Sequence, residues 1–204
     1  MKVDDICKGV PAHLLASAET KRQVAERYLD PILAAADLIA KSFRRGDKLM
    51  LCGNGGSAAD CQHMGAELVS RLTKDFERSG LPAIALTTDT SFLTAYANDI
   101  EYGGVLAQQV QALGKPGGDT LIGMSTSGNS LNVIPALETA TAANIHAIVP
   151  TGNGGRLSKI ADIAIAVPSG NTQYIQEAHL AIQHILCDLV ERILFRPQRE
   201  SATA

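Results

Sequence analysis

The sequence has no block of lysine and arginine: 18 basic residues stand against 21 acidic ones, for a formal net charge of -3. A surface that grips a nucleic-acid backbone needs a Lys/Arg stripe, so that class of partner is not expected. No apolar run approaches the ~20 residues that cross a bilayer. Residues 1–15 hold too few apolar side chains for a secretory leader, which makes the cytoplasm the expected compartment. No C-x-x-C pair occurs among Cys7, Cys52, Cys61 and Cys187. Their spacing fits neither a zinc ribbon nor a disulfide framework, so they read as buried free thiols. The G-x-S-x-G turn of serine hydrolases is missing. So are linkers, low-complexity stretches and repeats of fixed period. Together these absences leave one domain.

What is present is a core and a rhythm. Hydrophobic residues make up 46% of 204 positions, too many for a disordered chain and enough for one sizeable core. Two stretches before residue 46 look helical. In the second, Ile32, Ala36, Ile39, Ala40 and Phe43 recur on one helical face. Asp30-Pro31 offers an N-cap and a first-turn proline, and Arg44-Arg45-Gly46 a basic, glycine-terminated end.

From residue 46 the pattern changes. Short apolar runs at Lys48–Cys52, Ala83–Leu86, Thr120–Met124, His146–Val149 and Ile163–Val167 alternate with helical stretches near 58–72, 103–113, 130–143 and 174–195. Runs of this kind are strands of a parallel sheet covered on both faces. The fold class is α/β: a doubly wound five-stranded parallel sheet flanked by helices. The reading divides the chain into an N-terminal helical segment, 1–45, and an α/β domain, 46–197, in one structural unit. The helical pair has no strand of its own to cover. Its apolar face could pack on the domain or on another copy of the chain, and the second is the expectation.

In parallel sheets ligands sit beyond the carboxyl ends of the strands. Two loops there are small, polar and rich in glycine or hydroxyls. One is Gly53-Asn54-Gly55-Gly56-Ser57-Ala58-Ala59-Asp60; the other is Ser125-Thr126-Ser127-Gly128-Asn129-Ser130. Close backbone approach, helix N-termini and side-chain hydroxyls suit a phosphate dianion without any lysine. Capping alone would need one serine, not four hydroxyls in six residues. The Gly53-x-Gly55-x-x-Ala58 spacing also matches a dinucleotide fingerprint. That fingerprint wants an acidic residue about 20 positions on, and Asp89 comes too late.

Acid–base groups lie nearby. His63 and Glu67 share a helical face just after the first loop, and Gln176, Glu177, His179 and His184 lie on the last helix. An i, i+4 His–Glu pair is often only a surface contact. Behind a phosphate loop it suits an aldose–ketose isomerase, which needs a base, an acid and a stabilised enediolate oxygen. Histidine and carboxylate also suit zinc.

Cys-Gly-Asn-Gly-Gly-Ser at 52–57, the His63/Glu67 pair, Asn98-Asp99, Ser-Thr-Ser-Gly-Asn-Ser at 125–130 and Ile-Gln-Glu-x-His at 175–179 occur in that order. This set resembles the sugar isomerase (SIS) domain family, and within it the phosphoheptose isomerases, over residues 30–195. The resemblance implies conversion of sedoheptulose 7-phosphate to D-glycero-D-manno-heptose 7-phosphate in surface heptose synthesis. It implies a homotetramer with active sites at subunit contacts, and one zinc per subunit. Phosphate would be held by Ser125, Thr126, Ser127 and Ser130. The sugar would meet Asn54, Gly55, Gly56, Ser57, Asp99 and Gln176. Glu67 and His184 would be the acid/base pair, and His63, Glu67, Gln176 and His184 the metal ligands.

Gln176 and His184 are eight residues apart, about 12 Å along a straight helix, so His179 is a local rival as ligand. One departure from the family pattern is Asn171-Thr172-Gln173-Tyr174, where relatives often carry a charge. A non-catalytic branch of the family binds the replication initiator and lacks the equivalents of Glu67 and His184; both are present here.

Overall fold

The computed structural model describes residues 3–74 and 77–195. Residues 1–2, 75–76 and 196–197 of the two expected units lie outside the described residues. Five parallel strands form one sheet: β1 (Leu49–Cys52), β2 (Ala83–Ala85), β3 (Thr120–Gly123), β4 (His146–Thr151) and β5 (Ile163–Ala166). Their order is β2-β1-β3-β4-β5. Among the described residues eight helices accompany them: α1 (Val3–Arg27), α2 (Leu29–Arg44), α3 (Gly56–Val69), α4 (Thr90–Asp99), α5 (Val105–Leu113), α6 (Val133–Ala142), α7 (Leu157–Ile160) and α8 (Thr172–Phe195). A 3-10 turn at Tyr102–Gly104 leads into α5.

The apolar runs are continuous because both sheet faces are covered. Leu49, Leu51, Ile122, Ile148 and Ile165 point to one side, against α2, α3 and α8. Met50, Cys52, Leu121, Ala147 and Val149 point to the other, against α5, α6 and α7. Alternate residues of the three central strands, β1, β3 and β4, thus feed two separate cores. Truncating one such residue, Leu51 for example, costs about 2–5 kcal/mol.

The N-terminal pair departs from expectation in two ways. Helix α2 buries Ile32, Ala35, Ala36, Ile39 and Phe43 in its own chain's core, against the sheet and α8. The sheet face was one cover short without it, so that face is not left for a second copy. Asp30 is not the N-cap; it lies in the first turn of α2, after a Tyr28 that makes no side-chain cap. Pro31 has no N–H to bond the Arg27 carbonyl, so one long helix is broken there into α1 and α2.

Helix α4 is an element the apolar pattern did not announce. It buries no residue. Asp89, weighed above as a ribose ligand, caps it by accepting the Phe92 N–H at 3.0 Å. Cys7 is exposed, against expectation, while Cys52, Cys61 and Cys187 are buried. Burial pushes the Cys52 and Cys187 thiols up to about 12, which keeps them unreactive.

Candidate functional site

The strand order reverses between β1 and β3, the switch point where ligands sit in such sheets. The two loops singled out above leave the sheet from these two strands. In the first, Gly55 has φ 55° and ψ -123°, a conformation open to glycine alone, and it turns the chain into α3. A Cβ at Gly56 would overlap the Gln176 side-chain amide, so α3 and α8 touch at their first turns.

The second loop gathers its hydroxyls. Ser125 Oγ lies 2.8 Å from Ser130 Oγ and 3.4 Å from Ser127 Oγ. Ser127 Oγ accepts the Asn129 N–H at 3.1 Å. None of them caps α6, whose N-cap is Asn132 with no side-chain cap bond. The loop is braced from behind. Gly128 has φ 66°, and a Cβ there would run into the Gly154 carbonyl oxygen. The Leu157 N–H donates to the Gly128 carbonyl at 2.9 Å, and Ser125 bridges to Thr151 of β4.

A cavity of about 400 Å³ lies on one side of this loop, lined by Thr126, Ser127, Asn129, Asn153–Gly155 and the start of α8 at Thr172 and Ile175. A second, of about 630 Å³, lies on the other side. Asn54, Tyr102, Ser130, Leu131 and Asn132 are among its walls. A reciprocal amide pair ties the two loops together: Asn54 Nδ2 donates to Asn132 Oδ1 at 2.7 Å, and Asn132 Nδ2 to Asn54 Oδ1 at 2.9 Å. The Tyr102 hydroxyl adds a third bond to Asn54 Oδ1 at 3.1 Å. Sequence reasoning missed Asn132 and Tyr102, because neither belongs to a glycine- or hydroxyl-rich run.

The proton-carrying groups meet on α3 and α8. His63 Nε2 lies 2.8 Å from His184 Nε2, and Glu67 Oε1 lies 3.8 Å from His63 Nε2. Gln176 lies in the first turn of α8. It touches Gly56, while His184 touches His63 seven residues further along α3, so two helical turns separate the contacts. Of the four ligands implied by the resemblance, His63, Glu67 and His184 lie together. His179 does not replace Gln176. It is fully buried, its Nε2 bonds the Thr151 carbonyl at 3.2 Å, and burial lowers it to about 4. Asp99 accepts from Asn98 at 2.8 Å and lines neither cavity.

Among the described residues no three His, Cys, Asp and Glu side chains close on a common point as a metal group does. The donor types of the trio nonetheless suit zinc: two imidazole nitrogens and a carboxylate. Zinc lies about 2.0–2.1 Å from each nitrogen ligand, so a small parting of the two rings makes room for it. Asp60, one turn before His63, is a further group the sequence reading passed over. Burial raises its pKa, and its Oδ2 has no partner among the described residues. Its i, i+3, i+7 spacing with His63 and Glu67 was the available signal.

The SIS domain model matches residues 13–152. The phosphoheptose isomerase of Roseiflexus sp. (strain RS-1) is 50% identical over 193 residues, 94% of this chain and 96% of that one. That of Aquifex aeolicus (strain VF5) is 50% identical over 179 residues, 87% of this chain and 92% of that one. This chain belongs to the SIS-domain family, in its phosphoheptose isomerase branch. Solved structures agree. The phosphoheptose isomerase GmhA from Neisseria gonorrhoeae superposes with a TM-score of 0.85 at 39% identity, covering 91% of this chain and 98% of that one. The Francisella tularensis phosphoheptose isomerase gives 0.84 at 34%, covering 94% and 100%. The sugar isomerase domain of an RpiR transcription factor from Sphaerobacter thermophilus, at 0.62 and 18%, shares the fold. No helix among the described residues is long and apolar enough to cross a membrane.

Proposed function

We propose that this chain is an aldose–ketose isomerase that converts sedoheptulose 7-phosphate to D-glycero-D-manno-heptose 7-phosphate. The observation that carries the proposal is the meeting of Glu67, His63 and His184 on α3 and α8, in a chain half identical to phosphoheptose isomerases over nearly its whole length. The Ser125–Ser130 loop takes the phosphate through its hydroxyls and N–H groups. Asn54, Ser57 and Gln176 take the sugar hydroxyls. The open-chain ketose presents C1 to the acid–base pair. One of Glu67 and His184 removes a proton from C1 and returns it to C2; the other moves the proton between the two oxygens.

Zinc, held by His63, Glu67 and His184, would polarise those oxygens and steady the enediolate. The enzyme works in the cytoplasm as a homotetramer, product feeding surface heptose synthesis. The exposed Val10, Leu14 and Leu15 of α1 support an oligomer. The presence of Glu67 and His184 speaks for the enzyme over a non-catalytic adaptor.

The test is proton NMR of sedoheptulose 7-phosphate with the purified protein in D₂O, with and without zinc. Appearance of an aldoheptose phosphate is the expected result. No conversion and no exchange at either zinc level would overturn the proposal.

A further inference from the structure

Glu67 stands in the last turn of α3, where four backbone carbonyls run out of helical partners. The Ser70 N–H takes that of Ala66 at 2.8 Å. The next two accept from one side chain eleven and ten residues on, and the Leu68 carbonyl also accepts the Leu81 N–H at 3.0 Å. Arg78 Nη2 donates to the Glu67 carbonyl at 3.0 Å, and Nη1 to the Leu68 carbonyl at 2.9 Å. The guanidinium does not float. Its Nε and Nη2 donate to Glu191 Oε1 at 2.8 and 2.6 Å, and Nη1 also reaches the Ser79 carbonyl at 3.0 Å. All five donors are thereby used. The pair is sealed, with Arg78 at 0% and Glu191 at 1% side-chain exposure, under the Phe195 ring.

Glu191 lies seven residues after His184 on α8, on the same face two turns on. One buried ion pair therefore joins the backbone of Glu67 to the helix that carries His184. A lysine has three donors but not the planar five-donor fork that holds two carbonyls and a carboxylate in a fixed geometry.

We infer that Arg78 is a positioning residue for the isomerase: it holds the last turn of α3 against α8 and so sets Glu67 and His63 against His184. The inference rests on the isomerase reading for its kinetic test, but not for its spectroscopic one. A merely structural ion pair would tie activity to stability; a positioning one separates them.

Three variants make that separation. Glu191→Gln keeps the guanidinium and its carbonyl bonds while removing the charge partner. It should melt lower yet keep kcat within about threefold. The double variant Arg78→Met, Glu191→Met replaces a buried pair by apolar side chains of similar size, a change that is often neutral or stabilising. It also removes Glu191 Oε2, which is buried with no partner among the described residues. At the same time it strips the Glu67 carbonyl and the Leu72 N–H of their partners, so it should melt lower, to a degree comparable with Glu191→Gln, yet lose tenfold or more in kcat and leave KM within about threefold. Arg78→Lys, the variant to read should the double one not fold, should lose kcat by a similar factor at unchanged KM.

The imidazole C–H signals of His63 and His184 should shift in the double variant and hold in Glu191→Gln. That reading needs no turnover, so it stands even if the wild type proves inactive on the heptulose phosphate. If kcat follows melting temperature across the set, or the two histidine signals do not move, Arg78 is only structural and the inference falls.

Discussion

The Nε2 atoms of His63 and His184 lie 2.8 Å apart although 121 residues separate them in the chain. The rings meet nearly edge-on, at 70° with centroids 5.1 Å apart. They can share one proton, one donating and one accepting. Glu67 Oε1 lies 3.8 Å from His63 Nε2, which brings a carboxylate to the two imidazoles at the seam between α3 and α8.

Glu67→Gln keeps the shape of the site and removes its carboxylate. Turnover should drop by about 10² or more, the scale of a lost acid–base group, with KM little changed. Single-turnover NMR on the heptulose phosphate gives the number. A rate equal to wild type would remove Glu67 from the reaction.

Ser127→Ala tests the phosphate loop. The hydroxyl lines the 400 Å³ cavity beside Thr126 and accepts the Asn129 N–H. A hydrogen bond to a charged group is worth about 1.5–3 kcal/mol, so substrate affinity should fall by a factor of about 10 to 100. Calorimetric titration with substrate in the Glu67→Gln background reads binding without turnover. Unchanged affinity would move the phosphate elsewhere.

Gly128→Ala strains the same loop through its backbone. An L-residue at φ 66° is disfavoured, and the added methyl meets the Gly154 carbonyl oxygen, which cannot swing away as a side chain could. The loss should be about 2–4 kcal/mol in stability, with substrate affinity lost alongside. Urea unfolding of the variant beside wild type measures the first. A variant as stable as wild type would mean that the loop over Gly154 gives way freely.

His179 makes stability depend on pH. Burial holds its imidazole at about 4 in the folded chain, against 6.5 as the ordinary value. Between these values the unfolded chain binds the extra proton, so the folded state loses ground as pH falls from about 6.5 towards 4. The full effect is present above 6.5, and nothing more is lost below about 4. Asp60, raised by burial, titrates with the opposite sign, and Asp47 and Glu177, held low by their partners, act only at lower pH. The comparison is therefore with His179→Gln, which keeps a donor for the Thr151 carbonyl. Between pH 7 and pH 5 the wild type should lose about 2 kcal/mol more than the variant. Equal losses in urea unfolding would place the His179 pKa near its ordinary value.

The strands were legible because each is apolar on both faces, and that signal is local. Continuous runs such as Leu49–Cys52 and Thr120–Gly123 leave little choice of conformation. The glycine and hydroxyl loops were legible for the same reason: their chemistry lies in consecutive residues. Helix α4 was not, since the apolar face made by Phe92, Leu93, Tyr96 and Ala97 is short and only partly buried against the core. The amide clasp of Asn54 and Asn132 was not, since it links residues 78 apart through side chains that look like any loop asparagine.

Sequence alone thus determined the fold class, the two ligand loops and the residue types that could move a proton, all properties carried within a few neighbouring positions. Only the tertiary structure decided which of those residues meet. Packing α3 alongside α8 brings His184 to His63 and Gln176 to Gly56. It puts Arg78 beneath Glu67 by way of Glu191. It also turns α2 onto its own sheet, because the apolar face that the sequence displays is indifferent to what covers it, and the nearest uncovered surface was in the same chain.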